Sequence, residues 1–448
     1  MRVGQIAIDI APLRVSRDFR LLFTGRFLSM AGTAVATTAA NWQVYRLTGS
    51  SLAVGLVALA SSAGMFTGLL GGGMLADRHD RRTLMLASRL PMAFLAALLM
   101  LNSLLPSPAL WAIYLLVLAM GLLSGVGSPA STAAVPALVG QSRMAAAAAL
   151  NSMGSQFGSL GGPALAGALI AVNHGQGLPI CYGIDTACFA VFGVTLWFIR
   201  PLPPSVRAGR PGLKSMAEGF RHVRHNGVVG GMLAVDTSAM IFGMPSALFP
   251  ALATVHFHGG SATFGLLTAA PGFGALLGAA SSGWTGRLRR PGLVVIGAGL
   301  VWGAAIVGFG LSSSLAIGLA FLAVAGMADL VSEVLRNALL QRYTPDAVRG
   351  RVSSLYLAQV NGAPSLGNVE AGLVAQLVTA TFSVVSGGVA CVAGALILGA
   401  VNPALRHATL TGRAAGMDEA PVPAADPAPA GGPAPGEPAS PGAVAGPA

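Results

Sequence analysis

Charge is what this 448-residue chain has least of: Asp, Glu, Lys and Arg make up 9% of it, against 54% apolar residues. A soluble domain carries roughly 25% charged residues, so an ordinary water-covered surface is excluded. Cysteine is almost missing. The three present, Cys181, Cys188 and Cys391, all lie in apolar runs, and no His or Cys spacing supports a disulfide framework or a metal site. No Gly-x-x-x-x-Gly-Lys-Ser/Thr loop occurs, which leaves an ion gradient or a partner protein as the energy source. No His pair, Ser/Lys dyad or ligand cluster stands in the apolar runs, so an intramembrane enzyme and a bound cofactor are not expected.

What is there is length. The apolar runs reach or exceed the ~20 residues that cross ~30 Å of hydrocarbon as a helix. Backbone in that layer must satisfy its own hydrogen bonds, and the alternating pattern of a barrel is missing, so the spans are read as helices. Hydropathy and breaker residues place twelve of them at about 20–45, 51–76, 83–105, 109–134, 147–172, 180–200, 228–251, 262–284, 292–312, 315–338, 352–378 and 380–402. The fold class expected is an all-α membrane protein of twelve transmembrane helices in two six-helix pseudo-symmetric bundles.

Positive charge orients them. Of the 26 Lys and Arg residues, all but Arg26 and Arg46 fall on one side of this layout. Loops rich in Lys and Arg stay cytoplasmic, so both termini are expected inside. The formal net charge of +11 then reports topology, and a nucleic-acid partner, which needs basic residues on one soluble face, is not expected. The first apolar run follows Arg14, Arg17 and Arg20 and is too long for a cleaved signal core. The organisation that follows is a cytoplasmic tail (1–19), a six-helix bundle (20–200), a cytoplasmic loop (201–227), a second bundle (228–403) and a disordered cytoplasmic tail (404–448) rich in Pro, Ala and Gly. Within the loop, Leu213 to His225 reads as a short amphipathic helix with Met216, Phe220 and Val223 on one side.

One turn carries more than topology. Gly71 to Leu86 reads GGGMLADRHDRRTLML, and Gly73, Asp77, Arg78, Arg81 and Arg82 make a Gly-x-x-Ala-Asp-Arg-x-x-Arg-Arg pattern. This resembles the loop signature of the major facilitator superfamily, with Asp80 where that signature has its second Gly. The resemblance implies a cytoplasmic latch, made in one conformation and broken in the other. Asp77, at the end of the second or third helix, can accept backbone N–H bonds there, while the arginines pair with it, with helix ends or with anionic lipid heads. The fifth span holds GSLGGPALAG; its Gly158, Gly162, Pro163 and Gly167 resemble the antiporter pattern of the same superfamily, with Ala166 in place of a Gly. The 8–9 turn, Gly283 to Arg290, echoes the 2–3 turn without its Asp.

Further segments are similar to the siderophore-exporting, enterobactin exporter-like branch: LLFTGRFLS (21–29), LLPSPALWAIYLL (104–116), PALVG (136–140), LFPALA (248–253), RRPGLV (289–294) and LLQRYTPDAVRGRVSSLYLAQ (339–359). The Tyr343 to Arg351 loop is shared with macrolide-efflux relatives. The resemblance implies a secondary transporter of the bacterial cytoplasmic membrane. It would export a catecholate siderophore by proton antiport, with an outer-membrane export partner as a further expectation; multidrug or macrolide efflux is the alternative.

Ionisable side chains inside hydrocarbon are costly and therefore functional candidates. Asp185, Asp236, Asp329, Glu333 and Glu370 qualify by position. Asp236 and Glu370 are expected deepest and first in line for proton coupling, with Asp185 and Asp329 behind them. Glu333 is expected to pair with Arg336 one turn away, and Asp185 to bond Tyr182 or a neighbouring helix. Arg26 is either a snorkelling residue or a counter-charge for an anionic substrate. Asn41, Gln43, Gln359, Asn361 and Asn368 can hydrogen-bond substrate or one another, and Phe66, Phe157, Phe242 and Phe249 can add aromatic surface.

Overall fold

Helix starts in this chain are set by its short polar side chains. Ser16, Ser50, Asp80, Asn226 and Thr379 each accept a backbone N–H from the first turn of the helix that follows. Gly49, at φ 65°, closes the first long helix in the left-handed conformation that glycine adopts at little cost. The computed structural model describes residues 11–140, 143–172, 176–203, 213–281 and 288–410. They form twelve long helices: α1 Arg17–Thr48, α2 Ser51–Arg78, α3 Arg81–Leu104, α4 Leu110–Val139, α5 Met144–Val172, α6 Gly177–Trp197, α7 Gly227–Phe242, α8 Ser261–Ser281, α9 Pro291–Leu311, α10 Leu315–Tyr343, α11 Asp346–Leu377 and α12 Ala380–Val401.

Ten of these, α7 being counted through to His256, are long and apolar enough to cross a membrane. The exceptions are α1 and α11. Each has 32 residues, ample for a span, but α1 carries Arg17, Asp18, Arg20, Arg26 and Arg46, and α11 carries Asp346, Arg349, Arg351, Gln359, Asn361, Asn368 and Glu370.

Packing repeats between the two sets of six. The pairs α1·α5, α1·α6, α2·α4, α3·α4 and α3·α6 recur as α7·α11, α7·α12, α8·α10, α9·α10 and α9·α12. Across the sets, α2 packs on α11 and α5 on α8, which are equivalent pairs under the same exchange. This is the internal repeat of a duplicated six-helix unit.

The contacts that join the sets cluster toward one end. Ser62 lies 2.5 Å from Ser365 and donates to the Asn361 carbonyl, Gly55 meets Asn368, and Gly372 meets Leu52. Trp42 stacks on Phe264 at 5.5 Å, and Thr254 donates to the Tyr45 hydroxyl. On the α5–α8 seam a Cβ on Gly265 would lie 2.7 Å from the Pro163 carbonyl oxygen, so glycine is what lets these backbones meet. The opposite end holds the α2–α3 and α10–α11 turns and is rich in arginine.

Several boundaries differ from the sequence reading. Ala11–Val15 and residues 17–19 are helical, so the N-terminal tail is shorter than 1–19. Pro403–Arg406 is a further helical turn, with Leu405 fully buried and Ala408 nearly so, because Asn402 donates to the Gly227 carbonyl and folds the chain back onto α7. The stretch expected to be disordered from 404 therefore packs on the bundle as far as residue 410; residues 411–448 lie outside the described residues. Leu213–His225 is a helix that packs on α7 and α11, with Phe220 exposed and Val223 half-buried. Three residues apart, they stand on neighbouring parts of one helix side, with Val223 turned toward the bundle and Phe220 at its edge. The Met216 side chain and residues 282–287 of the 8–9 turn lie outside the described residues.

Replacing Gly265 by Val is expected to part α5 from α8 and lower the unfolding midpoint in detergent by several degrees. An unchanged midpoint would show that this seam does not hold the sets together.

Candidate functional site

The seventh span, expected as one helix over 228–251, is broken. Regular helix stops at Phe242, a 3-10 turn covers Ser246–Leu248, and a π turn covers Leu252–His256 before the segment ends. Pro245 stands in the break, where its ring supplies no N–H to continue the helical ladder past Gly243. The freed groups are collected by neighbours. Asn368 on α11 accepts from Ser246 Oγ (2.7 Å) and from the Ala247 amide (2.8 Å), and Trp302 on α9 donates to the Gly243 carbonyl at 2.9 Å. Irregular backbone at membrane depth is tolerated where protein satisfies it or where it lines a cavity.

Here it does both. A cavity of about 370 Å³ is lined by Ser155 and Gln156 of α5, Met244 and Phe249 of the break, Trp302 of α9, and Asp329 and Glu333 of α10, among others. Next to it a smaller pocket of about 60 Å³ reaches Ser332 and Arg336.

Arg336 organises the charges. Its Nη1 lies 2.6 Å from Asp236 Oδ1 and donates to Ser332 Oγ at 2.8 Å, while Nη2 lies 3.4 Å from Asp329 Oδ1. Gln359 Nε2 donates to the other Asp236 oxygen (2.9 Å) and to the Leu233 carbonyl, so both carboxylate oxygens are held. The Asp236 and Arg336 side chains are 2% and 5% exposed, whereas Asp329 is 44% exposed and faces the cavity. The result is a buried ion pair with one acid at its mouth. Any change in its charge state frees Arg336 or strands it.

The remaining candidates fall elsewhere. Glu370 is half-buried and lies seven residues from the end of α11, so it is not among the deepest acids. Asp185 is the fully buried one: Thr33 on α1 donates to its Oδ1 at 3.5 Å, while Tyr182 turns instead to Gln43 at 2.6 Å. Glu333 is exposed and makes no ion pair with Arg336, whose guanidinium is already engaged by Asp236. Phe249 lines the cavity, as does Ser246, which Asn368 orients. The missed partner of Asp236 had a local signal only in being an arginine close to two acids, Asp329 and Glu333, on an apolar helix.

In the turn motif, Asp77 is the last residue but one of α2 and its side chain lies outside the described residues; the capping carboxylate at the start of α3 is that of Asp80, which accepts from the Thr83 amide at 2.9 Å. The residue that departs from the superfamily pattern therefore starts α3. Arg81 donates to the Ala133 carbonyl of α4, and Arg82 donates to the Leu196 and Trp197 carbonyls at the end of α6. Arg78 is exposed. Gly73 has open space beside it, and the glycine that admits close packing is Gly72, against Val126 of α4. In α5, Gly162 is pressed against Ala34 of α1 and Gly167 against Gly265 of α8, while Gly158 makes only ordinary contact with Met30. No group of His, Cys, Asp and Glu able to hold a metal occurs among the described residues.

A repeated six-helix bundle with a broken helix beside a charged cavity defines a multi-pass membrane transporter of the major facilitator type. Solved structures agree on the fold. A peptide transporter POT covers 89% of this chain and 96% of its own at TM-score 0.69 and 14% identity. A bacterial homologue of the human lysosomal transporter Spinster, inward-facing and unoccupied, covers 87% and 95% at 0.67 and 15%. The chain belongs to the transmembrane secretion effector family, whose pattern it matches over residues 7–423. Among its relatives, the enterobactin exporter EntS of Citrobacter koseri is 33% identical over 392 residues, 87% of this chain and 93% of that one. The EntS of Escherichia coli K12 is 32% identical over 400 residues, 89% and 95% of the two chains.

Arg336→Gln alone leaves Asp236 buried without its partner, a loss of about 3–5 kcal/mol where such pairs are broken one-sidedly. The double change Asp236→Asn with Arg336→Gln is expected to be less destabilising than Arg336→Gln alone. Unfolding midpoints in detergent would test this; a double variant no better than the single would sink the pairing.

Proposed function

We propose that this chain exports a catecholate siderophore from the bacterial cytoplasm across the inner membrane, driven by proton antiport. The observation that carries the reading is the 32–33% identity, over nearly the whole length of both chains, to enterobactin exporters. The arginine-rich end is the cytoplasmic one and both termini lie there, by the distribution of Lys and Arg. Contacts between the two six-helix units then lie toward the periplasmic side, which supports an inward-facing state.

The geometry supports a specific cycle. Substrate enters from the cytoplasm between α5 and the α7 break and displaces water from the cavity around Trp302 and Phe249. The units rock, the glycine seams of α2·α11 and α5·α8 part, and the substrate leaves outward. A proton then reaches Asp236 through Asp329, loosens the ion pair with Arg336, and is given up on the cytoplasmic side when the pair re-forms. Glu370 and Asp185 are second-rank carriers in this scheme. The Gly73–Arg82 turn acts as a latch on the cytoplasmic side, and delivery past the outer membrane falls to a separate export partner.

One observation favours a second reading, efflux of drugs. Asp329 and Glu333 face a cavity that also presents Phe249 and Trp302, acid beside aromatic surface being a combination suited to cationic amphiphiles. The two are separated by a deletion strain. Siderophore export predicts a several-fold fall in secreted iron chelator with unchanged drug sensitivity. Normal chelator secretion with heightened sensitivity to cationic or macrolide drugs would replace it with the second reading.

A further inference from the structure

α11 packs on α7 of its own unit and on α2 of the other. It is fastened to the seventh span at two levels. Asn368 accepts from Ser246 and from the Ala247 amide in the break. Nine residues earlier, Gln359 uses a single nitrogen, Nε2, to donate to Asp236 Oδ2 at 2.9 Å and to the Leu233 carbonyl at 3.1 Å. Toward α2, the Asn361 carbonyl accepts from Ser62, Ser365 lies 2.5 Å from Ser62, and the Asn368 carbonyl oxygen would lie 2.5 Å from a Cβ on Gly55. The helix that holds Asp236 is therefore also the helix that closes the seam between the units.

Hydrogen-bond chemistry makes Gln359 sensitive to a single proton. Asp236 Oδ1 is held by the charged donor Arg336 at 2.6 Å, and Oδ2 by the neutral amide. A charge-assisted bond is roughly twice as strong as a neutral one, so an arriving proton takes Oδ2. Oδ2 then carries a hydrogen and confronts the N–H of Gln359, donor against donor. Turning the amide over gives no relief, because Oε1 would face the Leu233 carbonyl oxygen, acceptor against acceptor. One proton breaks the fastening at Gln359. The one at Asn368 stays, since its partners, a hydroxyl and a backbone amide, do not titrate. The charged and titratable groups around Asp236 are Arg336, Asp329 and Glu333 of α10 and Tyr356 of α11. α9 and α12 carry no charged residue, and the helix Leu213–His225 and the turn Pro403–Arg406 meet α7 at Gly227, Gly230 and Gly231, well before Asp236.

We propose that Gln359 is the positioning residue that carries proton uptake at Asp236 to the α2·α11 seam. With Asp236 ionised, Gln359 fastens α11 to α7 and the seam keeps the arrangement seen here. With Asp236 protonated, α11 is free to pivot at Asn368, and the seam can shift for the return stroke. Coupling of this kind needs one element whose two arrangements both sites bias, and α11 is that element. The link rests on the proton-antiport part of the export reading and is independent of which molecule is exported.

The test is pulsed electron resonance on the full-length protein in detergent, in a Cys181→Ala, Cys188→Ala, Cys391→Ala background. Nitroxides go on Leu47→Cys, just before α2, and Val378→Cys, just past α11, both exposed positions. Lowering the pH from about 8 to about 5 should lengthen and broaden the distance in the otherwise unaltered protein. Gln359→Leu should give the long, broad distribution at both pH values. Asp236→Asn with Arg336→Gln should give the short one at both, because the Asn oxygen still accepts from Gln359 and takes no proton. A Gln359 that is merely structural would shift the distribution and leave its response to pH. Gln359→Leu with the full pH response therefore overturns the link. Should that variant fail to fold, hydrogen exchange in the unaltered protein reads the same fastening: after correction for intrinsic rates, amides around Gln359 should exchange severalfold faster at the lower pH, and those of α9 should not. An equal change in both helices overturns the link as well. Chelator secretion that persists after an uncoupler collapses the proton gradient overturns the antiport reading without touching the seam measurement, so the two failures are told apart.

Discussion

A bilayer offers no water to a polar group, and the arrangement of this protein follows from that single shortage. Each amide freed by the break in α7 must find a protein partner, and Asn368 and Trp302 are placed to provide one. Each buried charge must find a counter-charge, and Asp236 and Arg336 find each other across α7 and α10.

The same shortage separates scaffold from machinery. Most of the long helices bury little that is polar, and they pack through glycine and alanine because lipid gives them no hydrophobic reason to associate. The polar residues that build the site stand on α7, α10 and α11. These helices supply the broken segment, the ion pair and the side chains that stitch them. Glycine contacts at one end of the bundle let the units approach with few side chains interposed. A seam of that kind can part and re-form, as alternating access demands.

The electrostatics divide between the units. The C-terminal unit gathers Asp236, Asp329 and Glu333 around one arginine, whereas the N-terminal unit holds Arg26 and Arg89 without an ion pair among the described residues and buries Asp185 separately between α1 and α6. Duplication therefore preserved the helix packing while the charged residues diverged. That is why the echo between the halves is faint in sequence and plain in the helix pairs.

Sequence alone determined what depends on local chemistry. Apolar length placed the twelve helices to within a few residues apart from α7, which stops at Phe242 instead of near 251, α11, which starts at Asp346 instead of near 352, and the longer C-terminal ends of α4 and α10. The Gly243-Met244-Pro245 signal of the α7 break was also local, though an apolar stretch of full span length concealed it. Partner choice was not local. Arg336 could have taken Glu333, one turn away, and took Asp236, one hundred residues earlier, because helix packing brings α7 against α10 and leaves Glu333 facing the cavity. Depth was not local either: Asp185 and Glu370 look alike in hydropathy, yet one is sealed between α1 and α6 and the other lies half-buried near a helix end. Hydropathy is a property of neighbours along the chain, whereas burial and pairing belong to neighbours in space, and only the packed helices decide those.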